Sequence, residues 1–487
     1  MVITPDAPDR QYSTRLRTAV VLTGSGTAGA YHAGVLRALH EAGVKIDLAA
    51  GRGVGAIGAF FAAVDGGVRL WEPNGLWRSA SAAGFYRWRL PLRIAGWALV
   101  AAAVVFAVPV ALLGVAVLVG TAGLLLTLVG LTAPAATLRS TFSGWVDALF
   151  APTALPTTIP RLVLFALLIG VAALSGGLMW SALRTRASRR ARQSVMWRLL
   201  GSPLTSSNLF ARSLAELWNL IRGAAAIAAP EPNDLARRYV ELLSDNLGQP
   251  GFRELLITVH DLDARRDVVF ALLGHAHRPR FFGRPGTPDA AARYLEVFDL
   301  AGISRDHAFD ALAGTLALPV ATAPHLTTFS AEGPWRGETH RLCDRPAALA
   351  RLLREVAAAG AEQVILVSAS SPEGRAHELS AGRVELRGRT GEYLAAFEAA
   401  GLRDVLEHFD GRFAGLFVIR PVHNPVGPLD FAGVYDERSD RVQALSELVD
   451  RGYEDAYRQF IEPIVGAGGE PMEVQPVNGN AARKGRT

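Results

Sequence analysis

The chain is nearly devoid of cysteine and lysine. Cys343 is the only cysteine among 487 residues, which excludes an internal disulfide framework and any multi-cysteine zinc or iron–sulfur site. Lysine occurs only at Lys45 and Lys484, so almost all of the basic charge behind the net +5 is arginine. A pI of about 9.6 admits nucleic acid as a partner. The arginines, however, are densest beside apolar stretches, a pattern of membrane surfaces and not of a nucleic-acid stripe. Charged residues are scarce overall, 20% against 50% hydrophobic. With a mean hydropathy of +0.21, that balance excludes bulk disorder and points to membrane segments. The length allows two or three domains, or one enlarged by an insertion, and no repeat of solenoid length is present.

Charge is missing altogether from Ile94 to Leu138, 45 residues, and from Leu162 to Leu183, 22 residues. One crossing needs about 20 apolar residues, so the second run fits a single span. The first is too long for one straight span. It is expected to be one span with an apolar continuation in the interface, or a tight hairpin broken near Pro109, Gly114 or Gly120. Arg139–Arg161, with Phe142, Trp145 and Phe150, reads as a short interfacial connection. Arg78, Arg87, Arg89 and Arg93 precede the first run, and the basic run Arg184–Arg192 follows the second. Positive charge at both outer ends predicts that both are cytoplasmic and that the number of crossings is even. The run Arg184–Arg192 would then face anionic headgroups or simply set topology. Residues 1–15 are polar and carry no signal-peptide pattern.

Outside the insertion the chain alternates strands and helices. Thr18–Thr23 is a buried-strand pattern, followed by Gly24-Ser-Gly-Thr-Ala-Gly29 and a helical pattern from Ala30 to Ala42. Val44–Ala50, containing Asp47, reads as a second strand, followed by Gly51-Arg-Gly-Val-Gly55 and a helix through Val64. Arg253–Val259, Gln363–Ser368 and Gly415–Ile419 are further strands, with a helix at Ala347–Ala359. Consecutive strand–turn–helix units predict an α/β fold with a parallel sheet. Its pieces lie on both sides of the insertion, which independently requires the chain to leave and return on one side.

Two readings of the glycines compete. Gly24-x-Gly26-x-x-Gly29 between a strand and a helix matches the dinucleotide fingerprint, with Asp47 near the spacing of its ribose-binding acid. That pattern does not explain a second glycine turn immediately after the next strand. An acyl-transfer site does. It needs backbone N–H groups aimed at a developing oxyanion, and a nucleophile on a sharp strand-to-helix turn.

Gly24-Ser-Gly-Thr-Ala-Gly29, Gly34-Val-Leu36 and Gly51-Arg-Gly-Val-Gly-Ala56 resemble the patatin-like phospholipases, which pair a glycine-rich oxyanion loop with a G-x-S-x-G elbow in this order and spacing. The resemblance continues more loosely through Leu255–Leu262, Ala311–Pro324 and Pro346–Val367. It implies a three-layer α/β domain with a parallel-rich central sheet, here interrupted by a transmembrane hairpin insertion. It also implies a Ser–Asp dyad that works through an acyl-enzyme without histidine, and no cofactor or metal. Carried onto this chain, the oxyanion loop is Gly24, Ser25, Gly26 and Gly29, and the nucleophile position is Gly53. The dyad acid is expected at Asp344, where the family's flanking glycines are replaced by Arg345-Pro346. Glycine has no nucleophilic atom, so the Ser–Asp route is closed at Gly53.

Ser25 and Thr27 are the other hydroxyls at hand, and Ser25 is equally a tight-turn residue bonded to backbone. Arg52, beside the missing nucleophile, is either a cation for a lipid phosphate or carboxylate or an exposed turn residue. His32 is read as a packed or surface histidine, and His260, Asp261 and Asp263 as loop polar residues without a metal. The expected organisation is a polar segment 1–15, patatin-like halves at 16–92 and 185–435, and a membrane insertion at 93–184. A helical segment 436–465 and a frayed tail 466–487 follow. The expected function is that of a multi-pass, membrane-anchored, patatin-like protein of the lipid acyl hydrolase family, its soluble domain cytoplasmic. It is catalytically impaired and binds membrane lipid or a protein partner, not nucleic acid. Two alternatives stand: an active esterase with a relocated nucleophile, and a dinucleotide-binding membrane protein.

Overall fold

A computed structural model of the chain describes residues 12–184, 201–283, 293–370, 386–422, 426–431, 433–436 and 441–465. Residues 1–11, the basic run from Arg186 to Arg192 and the tail from 466 lie outside them. The chain divides into two compact units, one formed by residues up to Tyr86 and from Ser206 onward, the other by Arg87–Thr205.

The first unit is built on β1 (Thr18–Thr23), which is buried at all six positions. An uninterrupted apolar run of this kind suits a central parallel strand covered on both faces. Thr27 leads into α1 (Ala28–Glu41), which closes at Gly43 in the left-handed region, φ +64°. β2 (Leu48–Gly51) lies beside β1 and parallel to it, Ala19 opposite Leu48 and Leu22 opposite Gly51. It is shorter than the sequence pattern suggested. Asp47 is not in the strand: its carboxylate accepts the amide of Thr18 at 2.9 Å, at the amino end of β1. α2 (Gly55–Ala63) follows the second glycine turn.

After the second unit the sheet resumes with β3 (Glu254–Asp261), β4 (Arg266–Leu272), β5 (Val297–Asp299), β6 (His325–Thr328), β7 (Thr339–Cys343), β8 (Gln363–Ser368) and β9 (Gly415–Ile419). The order is β9-β8-β1-β2-β3-β4-β5, with β7 paired to β3 and β6 to β7. The five strands from β9 to β3 run parallel, so the fold is α/β with a mostly parallel central sheet. Side chains alternate across it. Val21, Ala50, Leu256 and Leu366 pack with Leu352, Leu353 and Val356 of α3 (Leu349–Ala358). Val405 and Phe409, at the end of α4 (Leu386–His408), join the same cluster. On the other face, Leu22 approaches Gly58 of α2. α5 (Leu445–Ala456) carries buried Leu448 and Val449, and Gly34 of α1 abuts the Val449 carbonyl. The segment 436–465 is therefore not helical throughout, since Arg441–Gln443 is a strand paired with Val434–Asp436.

Because β1 and β2 are adjacent and parallel, both glycine turns leave the sheet at one end. The other end has a cavity of about 840 Å³ lined by Arg17, Lys45, Asp47, Glu254 and His277.

The second unit is helical. Its ends, Arg87–Trp88 and Leu204–Thr205, pair antiparallel. Leu90–Leu128 is one helix of 39 residues that continues through Pro109, so no hairpin break falls at Pro109, Gly114 or Gly120. Leu155–Arg184 runs back against it: Gly170 faces Ala95 and Ala98, and Gly177 faces Pro91. Between them Thr132–Leu149 is a helix, not the short connection expected over Arg139–Arg161. Its Arg139 guanidinium lies beside Gly123. Leu90–Leu128 and Leu155–Trp180 are long and apolar enough to cross a membrane.

Candidate functional site

The two glycine turns are stitched together by backbone. Arg52 donates its amide to Leu22 O at 3.2 Å, and Val54 donates to Gly24 O at 3.0 Å. Gly53, between them, has φ +55°, a conformation that costs a residue with a side chain roughly 1–3 kcal/mol. A Cβ placed there would come 2.9 Å from Asp344 Oδ2 and would strike the Gly24 carbonyl. The structure thus brings Gly53 and Asp344 together across 291 positions of sequence. Asp344 directly follows β7, and its amide donates to Ala317 O at 2.9 Å.

Arg52 is neither solvent-exposed nor free to receive an external anion, and here both expectations are corrected. Its side chain is 1% exposed. Nε donates to Thr23 Oγ1 at 2.8 Å, Nη1 to both oxygens of Asp344 at 2.9 Å, and Nη2 to Glu398 Oε1 at 3.0 Å. Burial pulls the guanidinium pKa down, but Asp344 and Glu398 outweigh it and hold the group above its ordinary value. A buried cation persists only when paired and hydrogen-bonded, and here each guanidinium nitrogen has a partner.

Ser25 is buried as well, but it is not a backbone-bonded turn residue. Its hydroxyl lies 3.0 Å from Asp344 Oδ2 and 2.7 Å from Glu398 Oε1. Glu398, on α4, is the member that sequence reasoning missed. Its one signal was a lone acid in the apolar stretch Leu394-Ala-Ala-Phe-Glu-Ala-Ala400.

The first turn is covered from above. Gly26 has φ +58°, and a Cβ there would strike the Pro428 carbonyl and lie 3.4 Å from the Phe431 ring. Thr27 donates its amide to Pro428 O at 3.2 Å and its hydroxyl to Gly427 O. Phe431 stacks on Tyr86, centroids 5.0 Å apart, and the Tyr86 hydroxyl donates to Leu316 O at 2.9 Å. Gly24 has φ +152°, and Gly29, in the first turn of α1, has the Trp77 indole against it.

His32 is packed, not a surface residue: it is fully buried, with Nε2 3.1 Å from Thr23 O. Burial, opposed by that bond and reinforced by Arg52, lowers its pKa to about 4, so the ring is neutral near pH 7. Cys343 gives no substitute nucleophile, because burial and the neighbouring Asp344 charge push its thiol up to about 12. His260 and Asp261 belong to β3 and are not in a loop. His260 Nδ1 lies 2.8 Å from Asp267, Asp261 bonds His340 and Asp263 bonds Arg341.

The second turn thus has the shape of an elbow with Asp344 beside it and no side chain at Gly53; the hydroxyl nearest the acid belongs to Ser25 of the first turn. The family model of the patatin-like phospholipases matches residues 20–113, a segment containing both glycine turns. The chain is similar to the patatin-like phospholipases. Comparison with the curated proteins finds no match. Among solved structures, VipD from Legionella pneumophila aligns over 94% of this chain and 67% of its own length, at 13% identity and a TM-score of 0.29. Agreement that loose carries no weight. The patatin-like similarity rests on the glycine turns and on the α/β sheet that carries them.

Proposed function

We propose that this is a membrane-anchored, patatin-like protein that has lost hydrolysis through the Ser–Asp route and acts by binding lipid or a protein partner. The observation that carries the reading is the fate of the acid. The position that should hold the nucleophile is Gly53, and the adjacent Arg52 engages Asp344 and Glu398 in a buried ion cluster. A carboxylate bridged to a guanidinium on both oxygens is a poor general base, and no hydroxyl stands at Gly53 to be deprotonated. Native protein should therefore give no fluorophosphonate adduct and no ester hydrolysis beyond the roughly 10³–10⁴-fold acceleration over water that binding alone can leave. A stoichiometric adduct overturns the reading.

One observation favours a second reading, with a relocated nucleophile. Ser25 Oγ touches two carboxylates, which is a hydroxyl-on-base arrangement. It is 1% exposed, and the glycine loop it belongs to cannot also face it as an oxyanion cradle. An adduct mapped to Ser25 would establish this reading in place of the first. The dinucleotide reading has less support, because Asp47 sits at the end of the sheet opposite the glycine loop.

Membrane anchoring is supported by the second unit. Large apolar side chains such as Phe106, Leu113, Leu118 and Leu128 are more than two-thirds exposed on its helices. Apolar surface of that extent calls for a non-aqueous neighbour. The neighbouring strands β2 and β3 come from either side of the insertion. This supports an even number of crossings with the soluble unit on one side, taken as cytoplasmic from the flanking arginines. Introduced cysteines at Ser81 and Glu332 should label from the same face of sealed vesicles. Labelling from opposite faces would defeat the topology.

A further inference from the structure

We infer that the segment Val426–Phe431 is an internal ligand of the glycine loop, a strap whose Pro428 carbonyl occupies the Thr27 amide, a donor that would otherwise be open to an acyl carbonyl. The inference rests on reading Gly24–Gly29 as an oxyanion-type loop, but not on whether the protein hydrolyses anything.

Three contacts define the strap. Pro428 O accepts the Thr27 amide, and Gly427 O accepts the Thr27 hydroxyl. Val426 donates its amide to Ala369 O, just beyond the end of β8. Phe431 then closes over Gly26 and stacks on Tyr86. The absence of a side chain at Gly26 has a use in this arrangement: the glycine lets a backbone carbonyl approach the loop, as a substrate carbonyl would have to. An amide at the start of a helix has no intrahelical partner, and the strap supplies one from within the chain. The loop therefore retains the chemistry of a carbonyl cradle, already filled.

Aromatic packing and hydrogen bonds hold the strap against the loop, and the ring is the part of that hold a single substitution can release. Phe431→Ala, in full-length protein in lipid nanodiscs, should raise hydrogen exchange at the Thr27 amide at least 10-fold. It should also let a fluorescent C12 fatty acid bind at least 10-fold more tightly than to wild type. Thr27→Val keeps the shape and removes only the bond to Gly427 O. It should shift both readouts in the same direction by a smaller factor, and it serves if Phe431→Ala does not fold. Unchanged Thr27 exchange in a folded Phe431→Ala protein would overturn the strap. Equal fatty-acid affinity in wild type and both variants would do the same. Neither result bears on the adduct test, so failure of the strap is distinguishable from failure of the inactive-site reading.

Discussion

The two glycine turns share one end of one sheet, and each is closed by a different kind of matter. The first, Gly24–Gly29, is covered by a neutral backbone carbonyl held under stacked rings. The second, Gly51–Gly55, is sealed by a charged side chain grown from the turn itself, Arg52, reaching inward to Asp344 and Glu398. Each hydrogen bond of such a neutral cover contributes on the order of 1 kcal/mol net. Removing a buried cation strands its partners as unpaired charges, which costs several times more. On the readings proposed above, one turn is thus closed by bonds of ordinary strength and the other by a far costlier ion cluster.

The largest effect should come from breaking the ion cluster. Arg52→Met should destabilise the soluble unit by about 3–5 kcal/mol, because two buried carboxylates lose their shared partner. Thermal unfolding in detergent measures it, and a loss below about 1 kcal/mol would show that the cluster contributes no more than an ordinary surface pair.

Next comes His32, whose ring bonds the carbonyl of Thr23 at the end of β1, just before the first turn. Its pKa of about 4 lies below the unfolded value of about 6.5, so the unfolded chain binds the proton first. Stability from this group is full above pH 6.5 and is lost as pH falls toward 4, by about 3 kcal/mol in total. Unfolding followed from pH 7 to 4 should show that slope, and His32→Gln should flatten it. An unchanged slope in the variant would place the proton uptake elsewhere.

The smallest effect is expected from Gly53→Ser. The left-handed backbone costs about 1–3 kcal/mol, and the new Cβ must push aside the Gly24 carbonyl. No fluorophosphonate adduct should form while Arg52 holds Asp344. Combining Gly53→Ser with Arg52→Thr sharpens the contrast: an adduct in the double variant and not in the single one would assign the block to the guanidinium. Robust reaction in the single variant would show that Arg52 does not restrain the acid.

Much of the sheet was legible because its strands are short apolar runs ended by turn residues. Thr18–Thr23, Gln363–Ser368 and Gly415–Ile419 have the bounds their patterns suggested. β2 was over-read because Val44 and Ile46 continue an apolar rhythm, while Asp47 leaves the strand to bond the amide of Thr18. Arg139–Arg161 was read as a connection because its two end arginines, its aromatics and Pro152, Pro156 and Pro160 resemble interfacial punctuation, although all three prolines lie beyond the helix Thr132–Leu149 that its first half completes. At the site, the nearness of Gly53 and Asp344 could be anticipated only through family resemblance. Glu398 and the strap could not. Each reaches the turns from hundreds of residues away without a motif, and burial of a single charged helix residue leaves almost no mark on a sequence.

The buried position of Arg52 also shapes the mutational routes open to this protein. Regaining a nucleophile at 53 first would place a hydroxyl against a committed acid, with strain and no activity to select for. Removing Arg52 first would pass through a form with two stranded carboxylates. On the proposed reading each single step costs stability and returns no activity, so the arginine acts as a ratchet. On the inactive-site reading proposed above, hydrolysis would have to be reached through two coupled changes and not one.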